Sequence, residues 1–255
     1  MKTPRPYVLQ ENNWKDVRNN AYTTAVLPWG ATEAHNYHLP YGTDNYLAEN
    51  VAIQAASLAW EKGARPIVLP VVPFGVNTGQ LDVPLCVNMN PSTQLAVLKD
   101  IVHMLALQHI EKLVIINAHG GNTFKPMIRE LSALYPKVFI CTLNWWQAKD
   151  GRAFFDDPGD HAGELETSTI MHLHPELVLD LNQAGDGNAK SFKIQALNTW
   201  VTTQRKWTSV TKDTGVGDPS KSTAEKGAAF FKATTQVIGD FLAELHSVNT
   251  EDMYH

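Results

Sequence analysis

This 255-residue sequence predicts an α/β fold, a single-domain three-layer α/β/α sandwich with a mainly parallel, doubly wound sheet spanning residues 1–255. Short β-branched or apolar runs alternate with longer helix-periodic segments, the pattern of strand-helix-strand units. Acids, imidazoles and glycines collect directly after the runs read as strands, where sheets of this kind build their sites. No repeat, low-complexity tract or linker divides the chain.

Thr23 to Leu27 reads as the first strand, and a helix follows from about Asp44 to Lys62, stopped by Gly63. Pro66 to Pro70 reads as the second strand, then a Pro- and Asn-rich connection from Val71 to Asn90. The next helix runs from Pro91 to about Ile110, with Asn90 as its N-cap and proline at its first position. Leu113 to Asn117 is β-branched enough for a central parallel strand; a tight loop spans His119 to Asn122, and Phe124 to Leu134 returns to helix. Val138 to Leu143 supplies a further strand, followed by a long aromatic loop from Asn144 to His161 and a helix from Gly163 to about Leu173. The pattern weakens from Pro175 to Asp218. A capping box of Ser222 and Glu225 opens the last helix, which runs to about His246.

A net charge of −5 and 18% charged residues give no reason to expect nucleic acid. Two cysteines are too few for a disulfide scaffold, and the opening Met-Lys-Thr-Pro-Arg-Pro lacks the apolar core of a secretory signal, so the expected compartment is the cytoplasm. No apolar run approaches the ~20 residues that cross a bilayer.

Three segments carry chemistry. The first packs Glu33, His35, His38 and Asp44 between Gly30 and Asp44. In an extended segment Glu33 and His35 project to one side, within reach of one or two neighbouring cations, and Asp44 opens a helix whose N-terminus stabilises a carboxylate. Taken singly, Asp44 is also an ordinary first-turn acid and Glu33 an ordinary loop residue. The second segment, Asn117-Ala-His-Gly-Gly-Asn-Thr, sets His119 beside two glycines that let backbone approach a ligand; it lacks the Lys and Ser/Thr of a P-loop. The third is Asp160-His-Ala-Gly-Glu-Leu-Glu-Thr-Ser. Glu164 and Glu166 lie about 200° apart on a helix, so one faces an ion while the other supports or caps. His161 beside Asp160 is suited to proton transfer at neutral pH. The bland alternative is an acid-rich first turn.

Together these segments resemble the creatininase (creatinine amidohydrolase) family. Glu33 to Asp44 follows its Glu-x-His-x-x-His-Leu-Pro-x-Gly-Thr-Asp pattern, Ala118 to Asn122 its Gly/Ala-His-Gly-Gly-Asn, and His161 to Ser168 its His-Ala-Gly-x-x-Glu-Thr-Ser. Thr214-Gly-Val-Gly-Asp-Pro and Ala224-Glu-Lys-Gly resemble its C-terminal signature. The resemblance implies a binuclear metal hydrolase with Glu33, Asp44 and His119 on one divalent ion and His35 and Asp44 on the other. True creatininases carry a glutamate where this chain has Gly121 and an apolar residue where it has Glu164, so Glu164 is expected to supply the fifth ligand. Glu166 and His38 are then supporting groups or alternative ligands. Asn36 and Tyr37 replace the family's usual Gly-Pro, and Asn77 and Gln80 stand where relatives often have Ser and His. The substrate is therefore expected near Asn36, Tyr37, Trp145 and Trp146, and the aromatic loop through Phe154 and Phe155 reads equally as a cover for a small planar or ring substrate and as core packing beneath a surface loop.

The expected function is a metal-dependent amidohydrolase cleaving a carbon-nitrogen bond of a small amide, cyclic ones included, with His161 steadied by Asp160 as the proton carrier. Two divalent ions are implied, zinc first and manganese or iron(II) next. Relatives form homo-oligomers, often hexamers. The alternatives are a formamide deformylase, a lactone or inosose ring opener, a peptide-trimming enzyme, or a non-catalytic metal- or sugar-binding protein.

Overall fold

Four runs of β-branched and apolar residues form strands: β1 (Thr24–Trp29), β2 (Pro66–Val68), β3 (Lys112–Asn117) and β4 (Phe139–Asn144). In the computed structural model, which describes residues 4–254, they pair in parallel in the order β2-β1-β3-β4. Met1 to Thr3, the start of the segment read as lacking a leader, lie outside the described residues.

The helices in chain order are α1 (Trp14–Arg18), α2 (Thr43–Glu61), α3 (Pro91–Leu107), α4 (Lys125–Leu134), α5 (Glu164–Leu173), α6 (Trp207–Val210) and α7 (Ala224–Ser247). Side chains alternate across the central strands and so feed two cores. Val26, Val114 and Ile116 pack with α2, α5 and α7, whereas Ala25, Leu27, Leu113 and Ile115 pack with α3 and α4. That is the three-layer, doubly wound arrangement, with the order reversing between β1 and β3. Trp29 pairs with Asn117 at the carboxyl ends of these two strands, so the loops after them open into one crevice.

Boundaries shift where local chemistry overrides the sequence signal. α3 ends at Leu107, not near Ile110, because His109 takes a left-handed φ of 58° and turns the chain. Asn90 precedes Pro91 without a side-chain capping bond. α7 is capped by Thr223, whose Oγ1 accepts the Lys226 N–H; Ser222 instead donates to the Glu164 carbonyl. Gly227 lets α7 press against α5, since a Cβ there would lie 1.9 Å from the Ser168 carbonyl oxygen. The weakly patterned stretch after α5 forms short 3-10 turns and α6 rather than a further strand.

Candidate metal centre

The loop leaving β1 doubles back on itself. The Glu33 N–H donates to the Tyr41 carbonyl, and His35 bridges to Leu39 before the chain enters α2 at Thr43. This turns Glu33, His35 and Asp44 inward, where all three are buried. His119, just beyond β3, meets them across the reversal of strand order: its Nδ1 is 2.9 Å from Glu33 Oε1 and 3.2 Å from Asp44 Oδ2. His35 Nε2 lies 3.1 Å from Asp44 Oδ1 and 4.0 Å from Glu166 Oε2. His161, before α5, turns Nδ1 toward Glu33 Oε1 at 3.7 Å. Donor atoms converge in three sets, Glu33-Asp44-His119, His35-Asp44-Glu166 and Glu33-His35-His161, each within 4.8 Å. Asp44 belongs to the first two.

Backbone carbonyls fix which way each imidazole faces. His35 Nδ1 donates to the Glu33 carbonyl (3.2 Å), His119 Nε2 to that of Val76 (3.1 Å) and His161 Nε2 to that of Ala34 (2.8 Å). A carbonyl oxygen only accepts, so the outward nitrogen carries the proton and the inner nitrogen faces the carboxylates, the arrangement of metal-ligating histidines.

Burial pushes the His35 and His119 imidazoles down, but Asp44 and Glu33 outweigh it; His35 rises to about 10 and His119 well above its ordinary value. Burial likewise raises Asp44 and Glu33, and the imidazoles more than reverse it, leaving both carboxyls below their usual range. Glu166 stays raised, because burial exceeds the pull of His35 and His161. The fit to divalent ions is good on two counts: a mixed imidazole and carboxylate donor set, and a buried Asp44 Oδ2 with no well-directed hydrogen bond.

The carboxylate beside His35 and Asp44 is Glu166, not Glu164. Glu164 Oε1 pairs with Lys226, and its Oε2 accepts the N–H groups of Asp156 and Asp157 at 2.8 and 3.0 Å, so it faces α7. Glu166 Oε2 accepts the Ala162 N–H at 2.6 Å. A glutamate in place of Gly121 has no room, because a Cβ there would stand 2.3 Å from the Val76 carbonyl oxygen and 2.5 Å from His119 Nε2.

Other expected site residues also move. Asp160 does not steady His161; its carboxylate is 61% exposed and binds the Arg205 guanidinium through Oδ2 at 3.2 and 3.3 Å. The His161 ring packs on His35 (centroids 4.1 Å) and edge-on to Trp207 (5.3 Å). Asn36, at φ 55°, ties the first loop to a distant segment through Gly185 and Thr214, and Tyr37 points to solvent near the Lys212 carbonyl; neither lines the cavity. His38 donates from Nε2 to Thr167 Oγ1 at 2.8 Å and leaves Nδ1 without a partner.

Above the cluster lies a cavity of about 230 Å³. Trp145 and Trp146 line it as expected, although Trp145 is buried edge-on against Phe230, and Phe154 and Phe155 pack on that same ring instead of on the cavity. Gln80, singled out in the sequence only as a departure in a substrate-facing segment, also lines the cavity, as do Arg205 and Trp207, which were not anticipated. Gln80 Nε2 donates to Glu33 Oε2, and its Oε1 accepts from Cys86 Sγ at 3.4 Å. Asn122, noted only as part of its loop, joins both strand exits by bonding Gly30, Asn117, Gln94 and Val76. Polar amides with no exposed role inside loops flanking a strand end were the available signal; for Arg205 and Trp207 there was none beyond the residue types.

The family model for creatininase, described as creatinine amidohydrolase, matches residues 10–242. A mycofactocin precursor peptide peptidase of Mycobacterium ulcerans (strain Agy99) is 26% identical over 221 residues, covering 83% of this chain and 81% of that protein. A 3-dehydro-scyllo-inosose hydrolase of Thermotoga maritima is 24% identical over 189 residues (70% and 60%), and a creatinine amidohydrolase of Pseudomonas putida 26% over 194 (66% and 70%). Among solved structures, a Bacteroides fragilis NCTC 9343 protein named as a putative creatinine amidohydrolase superposes with a TM-score of 0.92 at 41% identity, covering 99% of this chain and 100% of that one. A mutant creatininase of Zn-Zn type matches with a TM-score of 0.77 at 22% identity, over 95% of this chain and 99% of that one, a likeness of fold alone. The four-stranded parallel sheet, the convergence of the three motifs at one crevice and a family match over most of the chain lead to one conclusion: this protein belongs to the creatininase family of hydrolases.

Proposed function

We propose that this chain is a binuclear metal-dependent amidohydrolase that cleaves a carbon-nitrogen bond of a small amide, cyclic ones included. The observation that carries the reading is the Asp44 carboxylate, whose two oxygens face two different donor sets. Glu33, Asp44 and His119 would hold one ion, and His35, Asp44 and Glu166 the other. The ions supply Lewis acidity that makes water nucleophilic near neutral pH and polarises a carbonyl; zinc fits first, manganese or iron(II) next.

The chain's own groups do the rest. Ala34 locks His161 with Nε2 protonated, so Nδ1 is the atom that takes a proton from water and passes it to the leaving nitrogen. Gln80 holds the second oxygen of Glu33. Trp145, Trp146 and Trp207 wall the cavity with rings that exclude bulk water and suit a small planar substrate. The reading includes a homo-oligomer, supported by the exposed apolar side chains Leu81, Leu85 and Phe74, and a cytoplasmic setting, supported by the free thiols of Cys86 and Cys141. No helix among the described residues is long and apolar enough to cross a membrane.

Metal analysis of wild type and Asp44→Ala, with a reconstituted activity screen over small amides, formamides, lactones and creatinine, tests the proposal. About two ions per chain in the wild type, lost in the variant together with amide hydrolysis, support it. Full activity in metal-free wild type would sink it, and turnover of lactones alone would replace the amide with a ring ester.

A further inference from the structure

We infer that Arg205 is the anion anchor of the cavity, and that the substrate is a small amide bearing a carboxylate about one indole ring away from the bond that breaks. The inference rests on the amide-hydrolase reading of the same site and adds the substrate class to it.

Among the described residues lining the cavity, Arg205 is the one that carries a permanent positive charge. Its guanidinium lies 4.7 Å from the centroid of the Trp207 ring, and the Trp207 Nε1–H is pinned to the Thr214 carbonyl at 2.9 Å, so the charge rests on a fixed platform. The same indole meets His161 edge-on, with centroids 5.3 Å apart. The guanidinium and the imidazole placed for proton transfer thus both lie against one indole, and the reach across that ring bounds the length of the molecule that can touch both.

Arg205 is held in a replaceable way. Nη1 and Nη2 both reach the same Asp160 oxygen, at 3.3 and 3.2 Å, in a pair whose side chains are 42% and 61% exposed. Exposed pairs of this kind hold weakly, and a guanidinium prefers to present parallel N–H groups to both oxygens of one carboxylate. An incoming carboxylate can offer that geometry; Asp160 does not.

The backbone beneath Arg205 is firm. A Cβ on Gly79 would lie 2.3 Å from the Arg205 carbonyl oxygen, Thr78 Oγ1 donates to Gln204 Oε1 at 2.9 Å, and Thr208 Oγ1 donates to Asp82 at 2.7 Å. Two loops thus grip each other at the cavity mouth, with the arginine at their junction. The floor, by contrast, bears the carboxylates of Glu33, Asp44 and Glu166. These are the groups that would hold the ions and meet the amide, which leaves the Arg205 end of the cavity to the carboxylate.

Ligand-observed NMR titration with 4-acetamidobutyrate and 4-acetamidobutanamide, matched except for the carboxylate and long enough to cross the indole, tests this on metal-loaded and on chelator-treated protein. The expected result is 4-acetamidobutyrate binding about tenfold or more tighter than the amide. That preference should disappear in Arg205→Gln and return in part in Arg205→Lys. Equal binding of the two probes, no binding of either up to tens of millimolar, or a preference that survives Arg205→Gln because the ions hold the carboxylate, overturns the assignment. A carboxylate preference in a protein that cleaves no amide removes the hydrolase reading and leaves the anchor; amide turnover indifferent to a carboxylate does the reverse.

Discussion

Glu164 and Glu166 stand two positions apart in the first turn of α5, on its α7 side and its β1 side, and the same residue type has opposite work on the two faces. Toward α7, Glu164 is 1% exposed and saturated by the Lys226 ammonium and two backbone N–H groups. Toward β1, Glu166 has one backbone donor, its side chain is 19% exposed at the cavity, and its other neighbours are imidazoles and Asp44. A buried carboxylate whose hydrogen bonds and charge are already met holds structure together, whereas one left partly unmet is free to take a cation. What distinguishes a ligand from an anchor is therefore unsatisfied capacity, not depth of burial.

The sharpest way to break the contrast is at His161, just before the helix. His161→Ala should keep its ions, measured by elemental analysis, and lose turnover by about 10²- to 10⁴-fold. Loss of the ions along with turnover would make His161 a ligand through its place beside Glu33 and His35. Next come the glutamates themselves. Glu166→Gln is expected to bind metal about 10- to 100-fold more weakly with little change in denaturant midpoint when stripped. Glu164→Gln should retain metal but lose about 1–3 kcal/mol of stability, since Lys226 is left with a weaker partner. If both variants lose metal alike, the division between the two faces fails.

The smallest effect concerns Thr167, on the same turn. It accepts the His38 proton, and burial, aided by the His35 charge, lowers His38 to about 4. Because the unfolded chain takes a second imidazole proton near pH 6.5 while the folded chain leaves Nδ1 bare, the stability tied to neutral His38 is full above that value. The contribution falls away as pH drops from about 6.5 toward 4. Chemical denaturation of chelated protein across that window should show the slope, and His38→Asn should flatten it.

How far the sequence could be read follows from the same logic. Glu33, His35 and Asp44 lie within one short loop and His119 beside a strand end, so local pattern alone suggested a cluster, and the structure brings them together. Helical period put Glu164 and Glu166 on different faces but carried no information on which faced the crevice. That depends on Lys226, in a helix far along the chain. Asp160 and His161 were paired because they adjoin, yet neighbours on an extended segment point opposite ways, one to Arg205 and the other to Ala34. The layering and all four strands were legible because apolar alternation is a local property; the end of α3, set by a left-handed His109, was not.

The Val76 peptide has a wider consequence. Its carbonyl accepts from His119 Nε2 and its N–H donates to Asn122 Oδ1, so this residue steadies the imidazole beside Glu33 and Asp44 without using its own side chain. The Val76 side chain can vary without disturbing those two bonds, whereas Gln80 further along the loop holds Glu33 through its own amide. A lineage built this way can exchange the residue at position 76 while the hold on His119 is inherited intact; even proline, which lacks the N–H, would lose the tie to Asn122 and keep the carbonyl that His119 uses.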